Sequence, residues 1–455
     1  MSDQPAKAAN GAERHMPGAS DGSSLARSAF RRGAKLASLP LGFAGRATLG
    51  LGKRLGGAPA DEVSEQLQQR AAEQLFRVLG DLKGGAMKFG QALSLFESML
   101  PEEVAAPYRV HLSRLQDAAP PMPTSRVHAV LAREFGSRWR DSFTDFDPLP
   151  AAAASIGQVH KATWFDGRTV AVKVQYPGAD EALRSDLRQI GRLSKVIAPL
   201  AGGMDVTPLV DELTARVSEE LDYTLEAGSQ QEAAAGFAGS KEFYVPPVLA
   251  STSKVMVSEW VEGAPLSSAA NLTEKKRNAA ALQYVRFLFA GPSVVGLLHA
   301  DPHPGNFKLI KDGRLGVVDF GLVARLPHGL PAAMGRILRI AQQGDARQVA
   351  EGLRQEGFVA SEIDAEDLLD YLGPFVEPAA VPEFQFNRDW MREQFIRVRD
   401  PHASGGVAMK LNLPPSYLLI HRVWLGGLAV LSQLNAKAAF GEVLEEFLPG
   451  YAAEA

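Results

Sequence analysis

The chain has 455 residues, of which 46% are apolar and 22% are charged, and it contains no cysteine. This length and composition are typical of a globular protein with a sizeable core, and the lack of cysteine excludes disulfides and thiolate metal sites. The net charge of −4 argues against general binding to polyanions such as nucleic acid.

The first 60 residues differ in charge from the rest of the chain. They hold nine Lys/Arg and three Asp/Glu, a net of +6, so the remainder carries −10. Seven basic residues lie between Ala26 and Gly57 without an acid, interleaved with apolar side chains (Phe30, Leu36, Leu39, Leu41, Phe43, Leu49 and Leu51). We therefore predict a disordered basic segment over residues 1–60, which is either a solvated tail or an attachment to an anionic membrane surface.

A helical region follows over residues 61–123. Apolar residues recur at helical spacing from Asp61 to Leu100, and the Pro-rich stretch Ala118–Thr124 reads as a linker. Near the other end of the chain, Ser416–Leu434 is the most apolar helical stretch, but it carries His421 and Arg422. We predict a buried helix there rather than a membrane span, and a cytoplasmic protein with at most peripheral membrane contact.

Short strand-prone segments dominate residues 124–262. "QVHKATW" and "TVAVKVQY" flank a hairpin turn at Phe165–Arg168, a helical stretch runs from Ala179 to Ala235, and strands return over Tyr244–Gly263. Residues 263–455 read as mostly helical. This order predicts an α+β protein with two lobes.

Three motifs in sequence point to phosphoryl transfer from ATP. Lys173 lies in "VAVKVQ", an apolar strand where a lysine needs an anionic partner. "HADPHPGN" places Asp301 and Asn306 at the spacing of a kinase catalytic loop, and Asp319 opens a D-F-G after a strand. We expect Asn306 and Asp319 to hold Mg²⁺ and Asp301 to face the acceptor or the attacking water.

The segment before Lys173 departs from the kinase pattern. A kinase has a Gly-rich loop there, whereas this chain has "PLPAAAASIGQVHKA". We predict an Ala-rich loop that contacts ATP differently, with the backbone after "VSEW" binding adenine. The predicted ATP contacts besides Lys173 are Ala151, Ala152, Ala153, Ala154, Ser155, Ile156, Gly157, Val159, Glu259 and Val261.

Taken together, these motifs make the chain resemble the UbiB/AarF family of atypical, protein-kinase-like proteins. The resemblance also includes "KFGQ" (Lys88–Gln91) and "EELDYTLEA" (Glu219–Ala227). It implies a kinase-like fold with an N-terminal helical extension, whose Lys88 and Gln91 lie over the active site with Glu220 and Asp222. Either Glu220 or Glu226 would pair with Lys173.

The resemblance implies an ATP-binding, Mg²⁺-dependent kinase or ATPase that supports ubiquinone or other isoprenoid-quinone lipid metabolism at a membrane surface. Two alternatives stay open: a small-molecule kinase of the aminoglycoside or choline type, and a scaffold that binds nucleotide or lipid without catalysis. "KFGQ" and the Ala-rich segment argue against the first, and the complete set of Lys173, Asp301, Asn306 and Asp319 argues against the second. The phosphoryl acceptor, the protein partners and the oligomeric state also stay open.

Overall fold

The computed structural model describes residues 121–154, 156–179, 221–359, 362–399, 407, 411, 412 and 414–452. Its first element is helix α1 (Thr124–Phe135), which was not predicted from the sequence. Val127, Val130 and Leu131 form the buried stripe of this helix and pack into a core with strand residues of the N-lobe. The helix ends at Gly136, whose φ of +85° suits glycine.

An antiparallel sheet forms the body of the N-lobe. Its strands are β1 (Phe143–Ala154), β2 (Gly157–Trp164), β3 (Thr169–Gln175), β5 (Val248–Ser251) and β6 (Val255–Glu259), in the order β1-β2-β3-β6-β5. The predicted turn at 165–168 joins β2 to β3. Val170, Val172 and Val174 alternate into the core beneath α1, as period-two strand geometry requires.

The Ala-rich segment is a strand end, so the prediction of a loop there is wrong. Ala152, Ala153 and Ala154 pair with β2, at Val159, Gln158 and Gly157 respectively. β1 is an edge strand with two prolines and several register shifts, which is where a sheet accepts proline. Backbone pairing with β2 thus continues up to the turn, although alanine has no strong strand preference.

Helix α2 (Tyr223–Gly236) packs beside the sheet and precedes the short strand β4 (Phe243–Tyr244). Helix α3 (Glu274–Val295) is the central helix of the C-lobe. Around the predicted motifs the C-lobe contains short strands: β7 (Gly263–Pro265), β8 (Leu297–His299), β9 (Phe307–Ile310), β10 (Leu315–Val317) and β11 (Val323–Arg325).

The rest of the C-lobe is mainly helical, as predicted. Its elements are α4 (Ala332–Gln342), α5 (Ala346–Gln355), α6 (Ala365–Tyr371), α7 (Gly373–Val376), α8 (Arg388–Arg399), α9 (Leu418–Leu434) and α10 (Phe440–Phe447), with the strand pair β12 (Phe384–Gln385) and β13 (Lys437–Ala438). Helix α9 buries Val423, Trp424 and Leu428 in the C-lobe core, so the prediction of a buried helix is confirmed. Among the residues described, we find no helix of the length and apolarity needed to cross a membrane.

Several predictions concern residues beyond the described ranges. The basic segment 1–60 and nearly all of the helical extension 61–123 lie outside them, and so do Lys88, Gln91, Ser155 and Glu220.

Candidate nucleotide-binding and catalytic cleft

Lys173 on β3 is the centre of a charged cluster that joins the two lobes. Its Nζ donates to both carboxylate oxygens of Glu226 on α2, at 2.6 and 2.8 Å. The same Nζ lies 3.5 Å from Oδ1 of Asp319, which belongs to the C-lobe. Of the two glutamates left open by the sequence, the structure therefore pairs Glu226 with the lysine.

This ion pair is largely removed from solvent. The side chains of Lys173 and Glu226 are 15% and 7% exposed. Burial opposes the charged form of the lysine, but the negative charges of Asp319 and Glu226 outweigh it, and the pKa of Lys173 is raised well above its ordinary value. The lysine is therefore an ammonium ion across the physiological pH range, fixed in position and able to face an anion.

The strand register sorts the predicted ATP contacts onto two faces of the sheet. Lys173 lies directly opposite Val159, and Val159 lies opposite Ala152. Directly paired residues share a face, so these three form one surface on the side of the lysine. Ala153 pairs with Gln158 and belongs to the other face.

Glu259 also belongs to the face away from Lys173, since it pairs with the buried Val170. Its carboxylate accepts hydrogen bonds from Arg168 and from the Tyr244 hydroxyl, the latter at 2.6 Å. Its side chain thus holds strands together, and an adenine contact of Glu259 stays a prediction for its backbone. Val261 is buried, and a Cβ at Gly316 of β10 would lie 2.7 Å from its Cγ1.

Gly157 is the single glycine left in the Ala-rich segment, and packing explains it. A Cβ at this position would overlap the carbonyl oxygen of Val174 and lie 2.8 Å from the hydroxyl oxygen of Tyr223. The ring of Tyr223 is buried on α2, with the Lys173 Nζ 5.1 Å from its centroid. Sequence reasoning missed Tyr223, although it lies inside the "EELDYTLEA" motif.

A buried chain of polar contacts on the sheet face away from Lys173 was also not predicted from the sequence. The side chain of Gln158 accepts from the Met122 backbone N–H at 2.7 Å and lies 2.8 Å from Nε2 of His160. The other ring nitrogen of His160 is 2.9 Å from the carbonyl oxygen of Asp147. Burial lowers the pKa of His160 despite this carbonyl, so the neutral imidazole is favoured in the folded protein.

The catalytic-loop motif brings Asp301 and Asn306 into contact. Asn306 Nδ2 donates to Oδ2 of Asp301 at 2.8 Å and to the Asp301 carbonyl at 3.3 Å. His303 shapes the turn between them: its Nδ1 accepts from the Gly305 N–H at 3.1 Å. The i to i+5 spacing of Asp301 and Asn306 thus closes a small loop, and His303 shapes its turn.

Asp319 has a backbone φ of +63°, a left-handed conformation that is uncommon for a residue other than glycine. Such conformations persist where surrounding structure enforces them, and they occur often at functional sites. Here two backbone hydrogen bonds tie the D-F-G segment to the catalytic loop, from Val318 N to Asn306 O and from Ala300 N to Leu322 O. The conformation directs the carboxylate of Asp319 toward Lys173.

Asp222, a predicted catalytic residue, has a structural role in this arrangement. Its carboxylate accepts from the backbone N–H and the hydroxyl of Thr224, at 2.9 and 2.7 Å. This makes it the N-cap of α2, the helix that carries Glu226. Capping fixes the start of the helix and with it the position of the lysine's partner.

The oxygen groups at the junction of the lobes fit a magnesium ion. Asn306 uses its amide nitrogen on Asp301, which leaves the amide oxygen for another partner, and the Asp319 side chain is 40% exposed. Among the residues described there is no group of three or more His, Cys, Asp or Glu side chains that could hold a metal ion. One carboxylate and one amide oxygen suit Mg²⁺, which is usually held by few protein ligands together with substrate phosphates.

Comparison with known proteins places this cleft in a family. The ABC1 atypical kinase-like domain matches residues 114–353. The chain is 30% identical over 419 residues to the chloroplastic protein ACTIVITY OF BC1 COMPLEX KINASE 3 of Arabidopsis thaliana, covering 90% of this chain and 56% of that protein. It is 32% identical to the mitochondrial atypical kinase coq-8 of Caenorhabditis elegans, covering 69% and 42%. The chain thus spans about half the length of these two relatives.

A solved structure agrees in fold. The complex of Rv3197 with erythromycin from Mycobacterium tuberculosis superposes with a TM-score of 0.68 at 41% identity, covering 87% of this chain and all of that one. The family match covers more than half of the chain and contains Lys173, Glu226, Asp301, Asn306 and Asp319. This chain therefore belongs to the ABC1, or UbiB/AarF, family of atypical kinase-like proteins.

Proposed function

We propose that this protein binds ATP with Mg²⁺ and catalyses phosphoryl transfer, either to water or to a small acceptor. The observation that carries the proposal is the ion cluster of Lys173, Glu226 and Asp319, which joins the lobes beside the Asp301–Asn306 loop. Phosphoryl transfer asks a protein mainly for positioning and for charge stabilisation, and these groups supply both.

Each group has a proposed role. Lys173, held by Glu226, neutralises phosphate charge, and Ala152 and Val159 line the surface beside it. Asn306 and Asp319 would hold Mg²⁺, which when bound supplies neutralisation of the charge that develops on the phosphates. Asp301 accepts the proton of the attacking hydroxyl or orients the water.

The chain beyond the D-F-G supports a small acceptor or water rather than a peptide. Residues 322–331 connect Gly321 to α4, and three of them form β11, which pairs with β8 under the catalytic loop. A protein kinase uses a longer activation segment for its peptide substrate. The compact connection here leaves no platform of that kind among the residues described.

The biological setting is proposed from the family resemblance. We propose that ATP turnover supports ubiquinone or another isoprenoid-quinone lipid, and that the basic segment 26–57 brings the enzyme to an anionic membrane. Each Lys or Arg near such a surface contributes about 1 kcal/mol to membrane attraction, so partial engagement of seven gives measurable binding.

The test is ATP turnover by the purified full chain, with and without anionic vesicles that contain a quinone-like lipid. Asp319→Asn should abolish turnover without unfolding the protein, because the variant loses a charged Mg²⁺ ligand. Asp312→Asn is the matched control, since Asp312 lies in an exposed turn and pairs with Arg314. Normal turnover in Asp319→Asn would disprove the metal assignment.

Two further readouts separate the alternatives. Free phosphate without a labelled product indicates an ATPase, and a labelled small molecule indicates a small-molecule kinase. Binding of ATP or lipid without turnover in the wild-type chain favours the scaffold. Deletion of residues 1–57 should weaken co-sedimentation with anionic vesicles at low salt, and unchanged co-sedimentation would leave the solvated-tail interpretation.

A further inference from the structure

One position of the catalytic loop lacks a charge that protein kinases have. Their H-R-D motif places an arginine directly before the catalytic aspartate. Here that position is Ala300, which is fully buried. The structure supplies a guanidinium from elsewhere: Arg422 of α9 donates from Nε to the Ala300 carbonyl at 3.0 Å, and its Nη2 lies 3.6 Å from Oδ1 of Asp301.

Arg422 is held in this position by its surroundings. Its side chain is 17% exposed. Helix α9 lies directly against the loop at Gly426, where an added Cβ would overlap the ring of Pro302. From the other side, the Tyr284 hydroxyl of α3 donates to the Pro302 carbonyl at 2.7 Å. Helices α9 and α3 thus fix Ala300 and Pro302, the two residues that flank Asp301 in the chain.

The carboxylate of Asp301 is contacted on both oxygens. Asn306 Nδ2 donates to Oδ2, and the Arg422 guanidinium faces Oδ1. The rotation of this carboxylate therefore depends on Arg422, and the amide orientation of Asn306 depends on the carboxylate in turn. An arginine suits this task better than a lysine because its planar fork contacts a carbonyl and a carboxylate at once.

We propose that Arg422, on helix α9, is a positioning residue for Asp301. The inference rests on the proposed phosphoryl-transfer function. Arg422 acts through Asp301 and does not contact the nucleotide. Its removal should therefore lower the rate of the chemical step and leave ATP binding intact.

The experiment measures kcat and KM for ATP, with ATP affinity and Tm as separate readouts. Arg422→Ala should lower kcat by about tenfold to a hundredfold, the scale expected when a reacting group is misplaced, with KM for ATP nearly unchanged. The kcat of Arg422→Lys should lie between that of Arg422→Ala and that of the wild type. Arg354→Ala is the matched control, because Arg354 is an exposed helix arginine paired with Glu351.

Two measurements distinguish positioning from simple packing. Millimolar guanidinium chloride, compared with equal sodium chloride, should restore part of the kcat of Arg422→Ala and leave Arg354→Ala unchanged. In an Asp301→Asn background, Arg422→Ala should have little further effect on the residual rate, because the two residues act as one unit.

Wild-type kcat in Arg422→Ala would overturn this inference alone. The inference would also be overturned, in favour of a packing role, by a loss of rate with three properties. The loss would be additive with that of Asp301→Asn, it would not be rescued by guanidinium, and it would parallel a loss of ATP affinity and of Tm. Absence of ATP turnover in the wild-type chain would overturn the proposed function and this inference together.

Discussion

The two charged centres of the cleft are built differently. In the N-lobe, Lys173 and Glu226 are buried against each other and held by one strand and one helix. In the C-lobe, Asp301 and Asp319 are 27% and 40% exposed and are held by groups from distant parts of the chain. The first centre is a largely buried pair that fixes the lysine in place, and the second is more open to solvent.

The largest effect is expected when the cation of the N-lobe pair is removed, because this change should lower both the stability of the protein and its ATP turnover. Lys173→Met leaves the Glu226 carboxylate buried without its cation, which should lower the free energy of unfolding by about 3–5 kcal/mol. It should also reduce ATP turnover by at least about a hundredfold, because the phosphates lose a fixed positive charge. Denaturant unfolding and a turnover assay measure the two effects.

The double variant Lys173→Met/Glu226→Leu should regain most of the lost unfolding free energy and none of the turnover, since an apolar pair replaces a buried ion pair. Lys161→Met is the control: Lys161 is 45% exposed and pairs with Glu262 at 3.4 Å, so its loss should cost less than about 1 kcal/mol. If the double variant stayed as unstable as the single one, buried charge would not be the cause.

Helix α9, which supports the C-lobe centre, should make the free energy of unfolding depend on pH. His421 precedes Arg422 on α9, with its ring centroid 6.0 Å from that of Phe375, and burial lowers its pKa to about 4. A base whose pKa is lower in the folded state contributes full stability above its unfolded pKa of about 6.5. The free energy of unfolding should therefore fall as the pH is lowered from 6.5 to 4, by about 3 kcal/mol from this residue.

His421→Gln should remove that part of the pH dependence, measured as the difference in unfolding free energy between the variant and the wild type at each pH. His160, whose pKa is also lowered, contributes acid sensitivity with the same sign in both proteins. Parallel stability curves for the two proteins between pH 6.5 and 4 would show that His421 does not titrate as stated.

The comparison also explains which parts of the molecule could be predicted. Lys173, Asp301, Asn306 and Asp319 lie in short motifs of characteristic spacing, so they could be selected from the sequence as candidate site residues, and the structure brings them together. Their supports could not be found in this way, because Arg422 lies 122 residues from the Ala300 carbonyl that it contacts. Nothing in its local pattern links it to the loop, and only tertiary packing of α9 does so.

The secondary-structure elements divide in the same way, into those set by local sequence and those set by tertiary contacts. The strands with clear period-two alternation and the hairpin turn at 165–168 were predicted. Helix α1 was missed because Pro-rich residues directly before Thr124 suggested a linker. The Ala-rich segment was misjudged because alanine has no strong strand preference, and pairing with β2 decides its conformation. Tertiary contacts thus overrode local preference at both places.

The smallest expected effect concerns the strand that replaces the Gly-rich loop. Ala152→Gly should change the affinity for ATP or the preference between ATP and ADP, because Ala152 shares a face with Val159 and Lys173. Greater backbone freedom in a strand should also lower the free energy of unfolding by about 0.5–1 kcal/mol. Calorimetric titration with each nucleotide and denaturant unfolding measure the two changes.

The neighbouring residue supplies the matched control for this last prediction. Ala153 pairs with Gln158 and lies on the opposite face of the same strand. Ala153→Gly should therefore lose a similar free energy of unfolding while its affinities for ATP and ADP stay at the wild-type values. Equal nucleotide effects in the two variants would mean that strand flexibility alone is responsible. Unchanged affinities in both would remove the Ala-rich strand from the nucleotide site and leave Lys173 and the C-lobe residues to hold the phosphates.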